Sequence, residues 1–83
     1  MTIVSAIALY GEGTPGLEFR ILWGGNGYEV SRGTATDTHV IIPDTHNGLP
    51  VLVIAQYGFQ NYVDLVSIEL PNTIVGILEI VLI

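Results

Sequence analysis

The chain contains no cysteine and no lysine, and its only two basic residues are Arg20 and Arg32. Without cysteine, no disulfide stabilises the fold. Eight carboxylates against two arginines give a net charge of −6. This shortage of positive charge argues against nucleic-acid binding, because contacts to phosphates need clustered arginine and lysine. For the same reason, docking on an anionic membrane surface is not expected.

Long apolar runs are also missing. The two longest, residues 3–10 and 74–83, are shorter than the ~20 residues that cross a bilayer as a helix, so no membrane insertion is predicted. No basic residues precede the first run, as they would in a signal peptide. The sequence therefore predicts no signal peptide in this chain and leaves the cellular compartment open.

The chain does contain the material for one small β domain. Its 83 residues are 49% apolar and 12% charged, which is typical of a packed core and not of a disordered chain. Valine, isoleucine, threonine and aromatic residues are frequent, and no long apolar stripe has the helical period. We predict a mainly β single domain over residues 1–83.

The first part of this domain, residues 1–37, reads as a strand followed by a β-hairpin. Residues 3–10 form the predicted strand. Residues 17–23 place Leu17, Phe19, Ile21 and Trp23 alternately on one face, the period of a half-buried strand. Residues 24–27 read Gly-Gly-Asn-Gly, in which Asn-Gly suits a tight hairpin turn, and residues 28–32 form the return strand. The lead-in is a hairpin, or a three-stranded sheet if the first strand pairs with it.

The second part, residues 38–83, nearly repeats itself. Val40-Ile41-Ile42-Pro43 returns as Ile68-Glu69-Leu70-Pro71 at a spacing of 28 residues, with Val40 and Ile42 facing the core as Ile68 and Leu70 do. The later positions Val51, Ile54 and Phe59 return as Ile74, Ile77 and Leu82 at a spacing of 23. The difference of five residues is an insertion at residues 46–50, within the predicted loop at 44–50. Such a repeat with an insertion confined to a loop is typical of a solenoid.

The frame over residues 41–77 resembles the BspA-like leucine-rich repeats of bacterial surface proteins. It reads Ile-Ile-Pro, then Gly-Leu-Pro-Val-x-x-Ile, then Phe, then Leu-x-x-Ile-x-Leu-Pro-x-x-Ile-x-x-Ile. The resemblance implies a short leucine-rich-repeat solenoid after the lead-in, an extracellular or cell-surface location, and adhesion or protein–protein recognition without catalysis or cofactor. It also implies that a partner meets the strand-bearing face, where the outward positions are His39, Ile41, Ser67 and Glu69.

Two other groups of side chains are candidates for function. Tyr57 and Tyr62 are the aromatic residues that the frame leaves at the surface, so they are candidate partner contacts. Asp37, His39, Asp44 and His46 are the residue types that bind zinc or copper, which makes a small metal-binding domain an alternative. Ordinary turn and strand roles also account for these four residues. No nucleophile motif suggests an enzyme.

The last residues of the sequence are apolar, where the end of a solenoid needs a polar cap. Residues 74–83 contain one charged side chain, Glu79, and close with Ile80, Val81, Leu82 and Ile83. We expect these four to mediate self-association, giving a homo-oligomer. The alternative is that the chain is a truncated terminal piece of a larger surface array, without an activity of its own.

Overall fold

The computed structural model describes residues 13–77, which form a mainly β structure with a curled sheet. The described residues contain seven strands and no helix. The strands are β1 (Glu18–Ile21), β2 (Tyr28–Ser31), β3 (His39–Ile41), β4 (Thr45–His46), β5 (Leu49–Ile54), β6 (Ser67–Glu69) and β7 (Gly76–Ile77). The prediction of a mainly β chain is therefore confirmed. The predicted strand over residues 3–10 lies outside the described residues.

The predicted β-hairpin is confirmed, since β1 and β2 pair antiparallel from Glu18 opposite Ser31 to Ile21 opposite Tyr28. Its turn differs from the expected Asn-Gly turn. The positive φ angles belong to Gly24 (105°) and Gly25 (78°) instead of the residues that follow. Glycine tolerates these angles because it has no Cβ to clash.

The prediction that Leu17, Phe19, Ile21 and Trp23 share a buried face is correct for the first two residues only. Leu17 and Phe19 are partly buried against the core. Ile21 is 54% exposed and Trp23 is 99% exposed. The strand ends at Ile21, so Trp23 lies in the turn, where alternation no longer directs a side chain towards the core.

Parallel pairing connects the rest of the chain in two ladders. In the first, β5 lies between β2 and β7, with Val30 opposite Ile54 and Ile54 opposite Ile77. In the second, β3 pairs with β6 and places Val40 opposite Ile68. The expected correspondences of Ile54 with Ile77 and of Val40 with Ile68 are therefore direct ladder partners.

The predicted loop at residues 44–50 is a second hairpin. β4 pairs antiparallel with the start of β5, with His46 opposite Leu49. The two turn residues between them, Asn47 and Gly48, both have positive φ (51° and 85°), which is the type I′ geometry preferred in two-residue hairpins. The five extra residues thus form regular structure instead of an irregular loop.

The core lies between the two ladders and the turn that follows β5. Val51, Ile54 and Phe59 are fully buried, as predicted. Leu70 is predicted in the core but is 43% exposed, because among the described residues no further strand packs beyond β6, whereas the equivalent Ile42 is covered by β6 and is buried. Among residues 13–77, the buried core cluster comprises Val30, Ala35, Val40, Ile42, Val51, Ile54, Phe59 and Tyr62.

Candidate interaction surface

The four outward positions predicted on the strand-bearing face lie side by side. The β3–β6 register places His39 opposite Ser67 and Ile41 opposite Glu69. His39, Ser67 and Glu69 are exposed, whereas Ile41 is half-buried. A hydrogen bond of 2.7 Å joins His39 Nδ1 to Ser67 Oγ across the two strands. The structure therefore brings together a small polar patch that crosses both strands.

The contact of His39 with Ser67 has the residue types of a base and a nucleophile, but its surroundings favour a structural role. A serine nucleophile needs nearby donors for the developing oxyanion. The backbone N–H of Ser67 already donates to Thr38 O at 3.2 Å. We interpret the His39–Ser67 hydrogen bond as a cross-strand contact that holds the two strands of this ladder in register.

The two tyrosines predicted at the surface occupy different environments. Tyr57 is 47% exposed, in agreement with that prediction. For Tyr62 the prediction is wrong, because its side chain is 1% exposed. Its ring stacks with Phe59, and its hydroxyl donates to Asp37 O at 2.5 Å. No local pattern in the sequence indicates this burial, because the partners Arg32 and Asp37 lie 30 and 25 residues away in the chain.

Tyr62 also interacts with one of the two arginines. The Arg32 guanidinium carbon lies 3.9 Å from the centre of the Tyr62 ring, a cation–π contact. The same guanidinium donates from Nε to Ala35 O at 2.9 Å. Burial raises the pKa of the Tyr62 phenol above its ordinary value of 10.0, with Arg32 opposing the shift and Asp37 and Asp64 adding to it.

The shift in the pKa of Tyr62 predicts a loss of stability in alkali. The folded state favours the neutral phenol. The contribution of Tyr62 to the free energy of unfolding is therefore fully present below its ordinary pKa and is lost as pH rises through the raised pKa. We expect urea unfolding to show lower stability at about pH 11 than at about pH 9. Tyr62→Phe should cost about 1 kcal/mol at neutral pH and weaken this alkaline loss. An unchanged alkaline loss in that variant would contradict the assignment.

The four residues of the predicted metal site do not form one cluster. His39 contacts Ser67 on the strand-bearing face. His46 stacks on Phe19 with ring centroids 3.9 Å apart, and meets the Tyr28 ring edge-on at 4.9 Å. Across residues 13–77, no group of three or more His, Asp or Glu side chains is arranged to hold a metal ion.

The outer strands of both ladders carry uncovered apolar side chains. Within the described residues, β6 pairs only with β3 and β7 pairs only with β5. We call these two strands, with the exposed apolar residues on or near them, the C-terminal edge. Those residues are 43–79% exposed and comprise Val63, Val66, Leu70, Val75 and Ile77. Such an edge presents both unpaired backbone groups and apolar surface.

The opposite side of the β3–β6 ladder is covered. Thr14 donates from its backbone N–H to Ile41 O at 3.0 Å, and its side-chain Oγ1 accepts from Ile41 N at 2.7 Å. In the other ladder, β1 covers the outer side of β2 and presents the exposed charged side chains of Glu18 and Arg20. Charged residues on an edge strand oppose pairing with another chain.

The predicted self-association residues Ile80, Val81, Leu82 and Ile83 lie outside the described residues. They follow β7 in the sequence. The described part of the chain has no helix that is long and apolar enough to span a membrane. Comparison of the chain with protein-family models, with curated proteins and with solved structures gave no match.

Proposed function

We propose that the chain is a non-catalytic protein-interaction module of leucine-rich-repeat type, and that it self-associates through the C-terminal edge. The observation that carries this proposal is the set of exposed apolar side chains beside the outer strands of both ladders. A group of large exposed apolar side chains on a soluble protein often marks a site where a partner binds. The partner that we propose for this edge is a second copy of the chain.

The leucine-rich-repeat part of the proposal rests on pairing and spacing. Each ladder joins strands that are 23 to 28 residues apart, within the period of repeat proteins of this kind. The inward residue at these strands is apolar in successive units, as in Val30, Ile54 and Val40. A chain that stacks parallel strands in this way buries a continuous core between its units.

Two differences between the C-terminal edge and the opposite sides of the two ladders favour a dimer. Thr14 occupies the other side of the β3–β6 ladder, and the β1 strand carries the exposed charges of Glu18 and Arg20 beside Ile21, so neither matches the C-terminal edge as an apolar partner within the described residues. The favoured contact between two copies is therefore between their C-terminal edges. A contact of one surface with itself is isologous and closes as a two-fold dimer.

The experiment is a comparison of two apolar-to-lysine substitutions by analytical ultracentrifugation. Val66→Lys should convert the dimer to monomer, because Val66 is 70% exposed beside β6 and its replacement places a charge in the interface. Ile21→Lys is the matched control, since Ile21 is 54% exposed on the charged β1 edge. We expect this control to remain a dimer.

Lysine substitutions in the last residues extend the same test. Val81→Lys and Leu82→Lys should each weaken the dimer if residues 80–83 belong to the interface. Unchanged mass in Val66→Lys, Val81→Lys and Leu82→Lys would contradict self-association through this end. Loss of the dimer in Ile21→Lys alone would place the interface at β1 instead.

A further inference from the structure

A polar groove lies on the face of the hairpin that points away from the core. It has a volume of about 690 Å³ and runs between the β1–β2 hairpin and the turn at residues 55–60. The hairpin register sets Glu18 opposite Ser31 and Arg20 opposite Glu29, so these four side chains share one face and line the groove. The turn contributes Tyr57 on the other side.

Tyr57 has a backbone conformation that tyrosine rarely adopts. Its φ angle is +58°, in the left-handed region. The other two non-glycine residues with positive φ among the described residues are Asn47 and Asn61, and asparagine is the type that tolerates this region best. Strained backbone of this kind is typical of functional sites, where the side chain is needed at that place.

The charges of the groove set the chemistry of a ligand. Arg20 and Arg32, the only basic residues of the chain, both line it, together with Glu18 and Glu29. The groove is therefore electrically balanced in a chain of net charge −6. Arg32 is held by its contacts with Tyr62 and Ala35, whereas the side chain of Arg20 is 70% exposed. A balanced groove disfavours a phosphate, and its polar lining disfavours a lipid.

We infer that this groove binds a neutral oligosaccharide built from hexose or N-acetylhexosamine units. The carboxylates of Glu18 and Glu29 accept hydrogen bonds from sugar hydroxyls, and the guanidinium of Arg20 donates to sugar oxygens. The Tyr57 ring supplies an aromatic surface for the apolar C–H face of a sugar ring. This inference does not depend on self-association, because no residue of β6 or β7 lines the groove.

The test is a titration of the isotopically labelled full chain with maltotriose, cellotriose and triacetylchitotriose, followed by the amide signals in NMR spectra. We expect at least one sugar to cause saturable shifts in β1, β2 and residues 55–60. Tyr57→Asn should weaken binding about tenfold or more and raise the melting temperature by a few degrees, because asparagine relieves the backbone strain. Tyr57→Phe keeps the ring and should bind within a few-fold of the original chain.

Three results would overturn the inference. The first is the absence of saturable shifts with all three sugars at millimolar concentration. The second is saturable binding whose shifts lie outside the groove. The third is binding of equal strength by the Tyr57→Asn variant, which would show that the ring is not used. A melting temperature of Tyr57→Asn at or above that of the original chain would show that a loss of binding does not come from unfolding.

Discussion

Replacing Phe59 by alanine is expected to leave much of the protein unfolded in water at room temperature. Phe59 is fully buried, and its ring stacks with that of Tyr62 with a centroid separation of 6.3 Å. Truncation of a buried phenylalanine costs ~3–5 kcal/mol through lost burial and the cavity left behind. A chain of this size has a thin stability margin, so a loss of that magnitude removes most of it.

The matched control for this substitution is Trp23→Ala. Trp23 is 99% exposed in the hairpin turn, so its removal leaves no cavity. Its effect on the free energy of unfolding should stay within about 0.5 kcal/mol. Urea denaturation followed by circular dichroism measures both values. Equal losses for the two variants would contradict the description of Phe59 as a fully buried core residue.

Gly33→Ala is expected to have the second largest effect. The φ angle of Gly33 is +58°, and a Cβ built there would lie 2.3 Å from Gly16 O and 3.0 Å from Glu18 N. Both contacts are with backbone atoms, which cannot move aside as a flexible side chain would. The left-handed conformation costs an alanine about 1–2 kcal/mol, and relief of the clash adds about 1–3 kcal/mol.

Gly25→Ala separates these two contributions. Gly25 also has positive φ (+78°), but a Cβ there would meet no atom within 4 Å. Its replacement should therefore show the conformational cost alone, about 1–2 kcal/mol. Thermal unfolding of the two variants gives the difference. If Gly25→Ala were as destabilising as Gly33→Ala, the close approach of Gly33 to Gly16 would contribute nothing to the loss of stability in Gly33→Ala.

The sequence predicted the pairings that depend on local pattern. Alternating residues on both sides of a glycine-rich turn were sufficient to identify the β1–β2 hairpin. The correspondence of Ile54 with Ile77 followed from spacing, because a ladder partner must present the same type of side chain to the same core. These features depend on short-range chemistry or on periodicity, and a single sequence contains both.

The errors occurred where an element ends or where distant segments meet. Trp23 continues an apolar alternation beyond the end of β1, and Leu70 follows β6, beyond which no described strand packs, so periodicity alone assigned both residues to the core. Tyr62 is buried because Arg32 and Asp37 surround it, and both are more than twenty residues away in the sequence. Such contacts arise only from the fold.

The candidate sites also divide into one that the sequence pattern predicts and one that depends on the fold. The patch of His39, Ser67 and Glu69 was predicted because the repeat frame aligns their strands. The polar groove was not predicted, since Arg20 and Tyr57 meet only through the parallel pairing of β2 with β5. A tyrosine next to Gly58 in a turn was the one local signal for it, and this signal does not identify what lies opposite.

The most direct measurement of the central proposal is size-exclusion chromatography with light scattering, applied to the unmodified chain over a wide concentration range. Association through the C-terminal edge predicts a mass that rises to twice that of the monomer and then stays constant. A monomer at every concentration would contradict self-association and would indicate that residues 78–83 cover the edge themselves. A mass that continues to rise without a plateau would contradict a closed two-fold dimer. It would favour the alternative that the chain is a piece of a larger array, in which further repeat units stack on this edge.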